Sequence, residues 1–170
     1  GVESGNDETL IRLNKGNTVA DIRESMQWAK EGGLEPHVTC MVGYPWETLE
    51  QAKNTIKLTK DMFQRGWIDT LQATICIPYA GTRLWHECRK EGWLLTEDYD
   101  NYDMRQQVMR SECTTEHVRG FARELYWSFL SVPFIRTKLS KVRSFDDVKF
   151  LGRAGVQLVG HLLDFRSKQA

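Results

Sequence analysis

Two short apolar runs constrain this chain more than anything else: V-T-C-M-V at 38–42 and T-L-Q-A-T-I-C-I at 70–77, separated by one helix-length segment. Each run is bounded by turn formers, Pro36 and Gly43-Tyr44-Pro45 around the first, Gly66, Pro78 and Gly81 around the second. Between them, Thr48 and Gln51 have the spacing of a capping box, which predicts a helix through about Arg65. Leu49, Ala52, Ile56, Thr59 and Met62-Phe63 then fall on its inner face. Strand, helix and strand with short loops predict a parallel sheet with helical crossovers. Upstream, residues 7–14 read as a short helix ended by Lys15-Gly16. Thr18 and Asp21 open a second helix whose apolar face is Val19, Ile22, Met26 and Ala29, and Gly32-Gly33 stops it. Downstream, Thr82 begins a helix to about Glu91.

Side chains alternate along a strand, so each run can be read face by face. Val38, Cys40 and Val42 oppose His37, Thr39 and Met41. Leu71, Ala73, Ile75 and Ile77 oppose Thr70, Gln72, Thr74 and Cys76. One face is oily enough to meet helices and the other polar enough to line a cavity. An open sheet covered on both sides would show two oily faces, so the alternation favours an α/β partial (β/α) barrel with a wet lumen.

The pattern changes near residue 95, which suggests a division into 1–95 and a helical extension, 96–170. Residues 97–104 (E-D-Y-D-N-Y-D-M) read as a loop. Val118, Phe121, Ala122, Leu125, Tyr126 and Phe129 follow helical spacing up to Pro133, and a last helix is expected from Ser144 or Phe145 to about Phe165. The chain has 23 basic and 23 acidic residues, so its surface as a whole has no bias toward a polyanion. Residues 131–170, however, hold eight Lys/Arg against three Asp/Glu. Two readings of that basic tail stand. Val148, Leu151, Val159 and Leu162-Leu163 can pack back on the barrel, the preferred reading. Alternatively, Arg136, Lys138, Lys141, Arg143 and the apolar residues between them can rest on an anionic membrane surface. No base-reading motif supports a nucleic-acid partner. Cys40, Cys76, Cys88 and Cys113 are far apart and form no C-x-x-C pair, so free buried thiols in a soluble, cytoplasmic protein are expected. No apolar run approaches the roughly 20 residues a membrane span requires. Trp28, Trp67, Trp85, Trp93 and Trp127 are expected in the core or at element ends, whereas Trp46 sits in a loop.

In parallel α/β architectures the chemistry sits where strands end and helices begin. Three such loops are visible: G-V-E-S-G at 1–5, G-Y-P-W-E-T at 43–48 and P-Y-A-G-T at 78–82. Taken in order, G-V-E-S-G, L-I-R-L-N-K-G, M-V-G-Y-P-W-E-T and I-P-Y-A-G-T resemble the second half of the radical S-adenosylmethionine barrel. The resemblance is to members in which a cobalamin-binding domain precedes that barrel. It runs continuously over about residues 1–92, and K-L-S-K-V-R-S-F-D-D at 138–147 is similar to the helical extension of that group.

The resemblance implies a role for each matching position. Glu3 and Ser4 would bind the amino group or ribose of S-adenosylmethionine, since a carboxylate accepts charge-assisted hydrogen bonds from either. Lys15 would neutralise the methionyl carboxylate. Met41, Val42, Cys76 and Ile77 would lie near the adenine. Gly43 and Pro45 would shape one loop, and Pro78, Gly81 and Thr82 another. His37, Thr39, Gln72 and Thr74 would face an unidentified small-molecule substrate. Two departures matter. Trp46 stands where the family usually has Gly, and the C-x-x-x-C-x-x-C that binds the [4Fe-4S] cluster is absent. The expectation is therefore the C-terminal portion of a radical S-adenosylmethionine oxidoreductase or methyltransferase-like enzyme. Its partner would be the N-terminal half of the barrel, which would bring the cluster and possibly cobalamin. No cofactor is expected on this portion alone, nor activity. Two rivals remain. One is a non-catalytic α/β module associating with protein or membrane through its tail. The other is an ordinary part-barrel phosphate or sugar enzyme, although the loops lack a clear acid/base pair.

Overall fold

The computed structural model describes residues 1–104 and 106–128, and then 135–136, 139–140, 142–146, 148–149, 152–153 and 155–156; the side chains of 122, 126 and 128 are not included. The first part is α/β. Strands β1 (His37–Val42) and β2 (Thr70–Ile75) pair in parallel, with His37 opposite Thr70 and Val42 opposite Ile75. Cys76 N–H adds one more bond, to Val42 C=O at 2.8 Å. On the far side of β1 the chain's first residues add a third parallel row. Val2 N–H donates to Thr39 C=O at 2.8 Å, Met41 N–H donates to Glu3 C=O at 3.2 Å, and Glu3 bridges Cys40. Rows therefore follow one another in chain order, and the three loops read from the sequence leave from one edge.

Helices α1 (Asp7–Arg12), α2 (Val19–Glu31), α3 (Leu49–Gln64) and α4 (Arg83–Lys90) follow from local signals. Capping boxes form at Thr18/Asp21 and Thr48/Gln51, satisfying two otherwise orphaned donors each. All four helices stop with the same pair of backbone bonds, a Schellman turn. In α1, for example, Asn14 N–H reaches Ile11 C=O and Lys15 N–H reaches Leu10 C=O. The left-handed residue is Gly33, Gly66 or Gly92 in three of them, but Asn14 (φ 55°) in α1. The stop is thus one residue before the Lys15-Gly16 pair expected from the sequence. Asn tolerates this backbone better than other side chains, and the 6→1 bond demands it.

The oily strand faces meet the helices as expected. Val2 and Val38 pack with Ile22 of α2 and with Leu58, Met62 and Phe63 of α3. Arg23–Asp61 and Lys30–Asp69 ion pairs flank this layer. Buried Thr59 donates back to the Thr55 and Ile56 carbonyls, so its hydroxyl is satisfied within the helix. Helix α5 (Thr115–Ser128) shares this side of the sheet, with Val118, Phe121 and Leu125 against Val42, Ala52 and Ile56. The segment expected as loop after residue 96 contains a 3₁₀ turn at Tyr99–Asn101 and closes through an antiparallel bridge between Leu94 and Met109. Trp28 and Trp127 are 60% and 58% exposed, against the expectation for tryptophan. Each lies two residues from an inward-facing neighbour (Met26, Leu125), which turns it about 200° away around the helix. Phe129, Pro133 and the expected packing residues Leu151, Val159, Leu162 and Leu163 lie outside the described residues, as do Lys138 and Lys141.

The turn from the first row into α1 presses on α3. A Cβ built on Gly5 would lie 2.6 Å from Asn54 O and 2.8 Å from Thr55 Cα, both rigid backbone. Gly5→Ala is therefore expected to cost about 1–3 kcal/mol, read as a lower melting midpoint. Gly120 in α5 has nothing within 4 Å of such a Cβ. Gly120→Ala should leave the midpoint unchanged or raise it. Equal losses from the two would rule out close docking as the reason for Gly5.

Candidate functional site

The site is built from the edge where the three rows end. Ser4 is fully buried on the helix side of the sheet. Its Oγ lies 3.4 Å from Thr55 Oγ1 and accepts from Asn6 N–H and Nδ2, both at 3.2 Å. Gly5 N–H donates to Thr55 Oγ1 at 2.9 Å, and Asn6 Nδ2 reaches Gln51 C=O at 2.8 Å. With Ser4 turned inward, Glu3 must turn outward, onto the uncovered face. It does so at φ 60°, in a γ-turn closed by Ser4 N–H to Val2 C=O at 2.7 Å. Such a backbone on a residue with a long side chain costs on the order of 1–3 kcal/mol.

Opposite it stands Lys15, delivered by the Schellman turn of α1, with Nζ 3.3 Å from Glu3 Oε1. The two side chains are only 34% and 16% exposed. Thr39, half-buried on the same face, lies beside Gly1 and the Glu3 carboxylate. Farther along this face Gln72 is exposed and Thr74 half-buried, and His37 Nδ1 is 2.7 Å from Thr70 Oγ1 at its lower end. The structure thus brings Glu3, Lys15, Thr39, Gln72 and Thr74 to one face. Ser4 and Val42 lie on the other, among the helices. Met41 and Cys76 belong to an apolar cap over the upper end of the polar face, with Tyr44, Cys88, Trp93 and Met109. Gly43 is buried, and Ile77 packs with Ile75, Tyr102 and Val108.

The loop after β1 holds polar groups that sequence reasoning passed over. Gly43, at φ 90°, donates its N–H to Glu47 Oε2 at 2.7 Å, and Glu47 N–H returns to Tyr44 C=O at 3.0 Å. Glu47 is 1% exposed, and its Oε1 has no hydrogen-bond partner among the described residues. Burial pushes its carboxyl up to about 7, against the opposing pull of the Gly43 and Tyr44 amides. Tyr44 OH and Trp46 Nε1 are likewise buried without partners there. Trp46 stacks on Tyr44 at 5.4 Å and carries the Arg12 guanidinium 3.8 Å above its ring. Arg12 also pairs with Glu87 at 2.6 Å. The sequence signal for Glu47 was a carboxylate between an aromatic residue and an N-cap threonine, behind a glycine free to turn its amide inward.

The donor set can be tested against the cofactors implied by the resemblance. An iron–sulfur cluster needs thiolates converging on one loop. All four cysteines are buried and free, and burial pushes the thiols up, to about 12 for Cys40 and Cys113 and about 11 for Cys88. Cys76 shifts the same way. Among the described residues no three His, Cys, Asp or Glu side chains could hold a metal ion. These residues do not fit a [4Fe-4S] cluster. Glu3 and Lys15 do fit a zwitterion: one accepts from an ammonium or a diol, the other binds a carboxylate.

No protein-family model matches the chain. Over 139 residues it is 33% identical to a protein of Pyrococcus horikoshii described as an uncharacterized methyltransferase. The match covers 81% of this chain and 29% of that relative, so the chain spans less than a third of the relative's length.

The buried Glu47 makes stability depend on pH. Its folded pKa of about 7 lies above its ordinary 4.5. The fold therefore holds a proton that the unfolded chain has released. The stability linked to that proton is full below about 4.5 and is lost as pH rises through about 7, on the order of 3 kcal/mol in all. Glu47→Gln is expected to flatten this slope in urea melts and to be the more stable form at alkaline pH. An unchanged slope would show that Glu47 is ionised throughout.

Proposed function

We propose that this chain is the C-terminal portion of an S-adenosylmethionine-dependent enzyme of the radical type, with its three parallel rows as the last strands of a part-barrel. The observation that carries the reading is Glu3, held out of the strand in a γ-turn and facing Lys15 on the polar face. The matched relative, described as a methyltransferase, supports a cofactor of this class. The part-barrel is supported by rows in chain order, by α2 and α3 on one side, and by a polar opposite face.

In this reading Glu3 receives the ammonium or ribose hydroxyls of S-adenosylmethionine and Lys15 its carboxylate. Thr39, Gln72 and Thr74 contact the substrate, and the cap around Tyr44 and Met41 shuts water out at the strand ends. A cluster held elsewhere in the whole protein would supply the electron needed to cleave the sulfonium. The cysteines of this chain take no part in holding it.

Binding tests the reading directly. In the full-length protein, Glu3→Gln should weaken S-adenosylmethionine binding about tenfold or more, the worth of a charge-assisted hydrogen bond. Lys15→Met should weaken it several-fold, both read by calorimetry with the melting midpoint as control. Unchanged affinity in both variants would sink the assignment. Anaerobic iron–sulfide reconstitution of the same protein should give a broad visible absorption, which the 170-residue chain alone should lack.

A further inference from the structure

We propose that the basic tail is a docking surface for an anionic lipid bilayer, lying along its surface rather than across it. The described tail residues at 135–136, 139–140, 145–146, 148–149, 152–153 and 155–156 are helical. Their apolar side chains are exposed rather than packed: Ile135 42%, Leu139 60%, Phe145 73%, Val148 51% and Val156 74%. By sequence position alone, at 100° per residue, Phe145, Val148 and Val156 fall as one stripe within about 80° of one another. Lys149 and Arg153 border that stripe, and the Lys149 ammonium sits 4.9 Å from the Phe145 ring centre. Nearer the start of the tail, Ile135, Arg136, Leu139 and Ser140 line an open, mainly apolar depression.

Charge selects the occupant. Residues 131–170 carry an excess of five positive charges in a chain with no net charge, so the remaining 130 residues carry five negative ones. A protein partner of ordinary mixed surface needs no such segregation. A surface of acidic head groups over acyl chains matches both features, attracting the Lys/Arg border and taking the apolar stripe. No helix among the described residues is long and apolar enough to cross a bilayer, which leaves an in-plane arrangement.

Vesicle co-sedimentation decides the matter independently of any cofactor. The chain should pellet with equimolar phosphatidylcholine and phosphatidylglycerol, fail to pellet with phosphatidylcholine alone, and be released as salt rises. Arg136→Glu with Arg153→Glu should lower the bound fraction about tenfold. Phe145→Asp with Val148→Asp should do the same, without changing the melting midpoint, because all four side chains are exposed. Absence of binding to the anionic vesicles would overturn the proposal. So would full binding by the Phe145→Asp/Val148→Asp variant, which would show charge attraction without insertion. Self-association abolished by that variant, with vesicles unbound, would reassign the face to a second copy of the chain. The salt series on the unaltered chain remains a test should a variant fold poorly.

Discussion

The docking of residues 4–6 on α3 determines how the rest of the site is presented. Thr55 accepts the Gly5 amide and meets the Ser4 hydroxyl, while the Asn6 amide reaches the Gln51 carbonyl. These bonds are buried or half-buried, so breaking any of them would strand a polar group away from water at a cost of about 1–3 kcal/mol. They fix Ser4 toward the helices. Because side chains alternate across a row, the same bonds send Glu3 to the polar face and Val2 into the core with Leu10 and Phe63. The two glycines serve different needs. Gly5 lets the backbone touch α3, and Gly1 leaves room beside the Glu3 carboxylate.

A second constraint comes from the loop after β1, where the chain buries more polarity than it satisfies. Gly43 gives its amide to Glu47, and one carboxylate oxygen is then occupied, while the other, with Tyr44 OH and Trp46 Nε1, has no partner among the described residues. Most native buried polar groups are paired, so three without partners among the described residues on one five-residue loop are a cost to the fold. The cation–π stack of Arg12 on Trp46 and the Arg12–Glu87 pair tie this loop to α1 and α4, which leaves it little freedom to relax.

What could be read in advance was whatever depended on local pattern. The Thr18/Asp21 and Thr48/Gln51 boxes, the two strands within two residues, and the division of Val38, Cys40 and Val42 from Thr39 and Met41 all follow from periodicity and capping chemistry. Contacts distant in sequence were not legible. The α1 stop at Asn14 needed knowledge of which backbone turns left-handed, and asparagine signals that less firmly than the glycine two residues on. The apolar cap over the upper polar face forms because Trp93, Met109 and Cys88 return from 40 or more residues beyond β1. Nothing near Met41 announces it. Glu47 was hidden differently: a glutamate before a helix ordinarily reads as solvated, and only the inward Gly43 amide and surrounding core make it a buried acid.

Magnitudes bear on why Glu3 keeps its strained backbone. A positive-φ γ-turn on glutamate costs on the order of 1–3 kcal/mol, while a partly exposed Lys–Glu pair at 3.3 Å returns about 0–1 kcal/mol. The pair does not offset the turn. The deficit is carried by the Thr55 docking and by the row bonds of Val2 and Met41, interactions that would survive with a glycine at position 3 and no carboxylate at all. Selection for stability alone would therefore relieve the turn. If Glu3 holds the ammonium or diol proposed for it, two charge-assisted hydrogen bonds at about 1.5–3 kcal/mol each would exceed the cost of the turn.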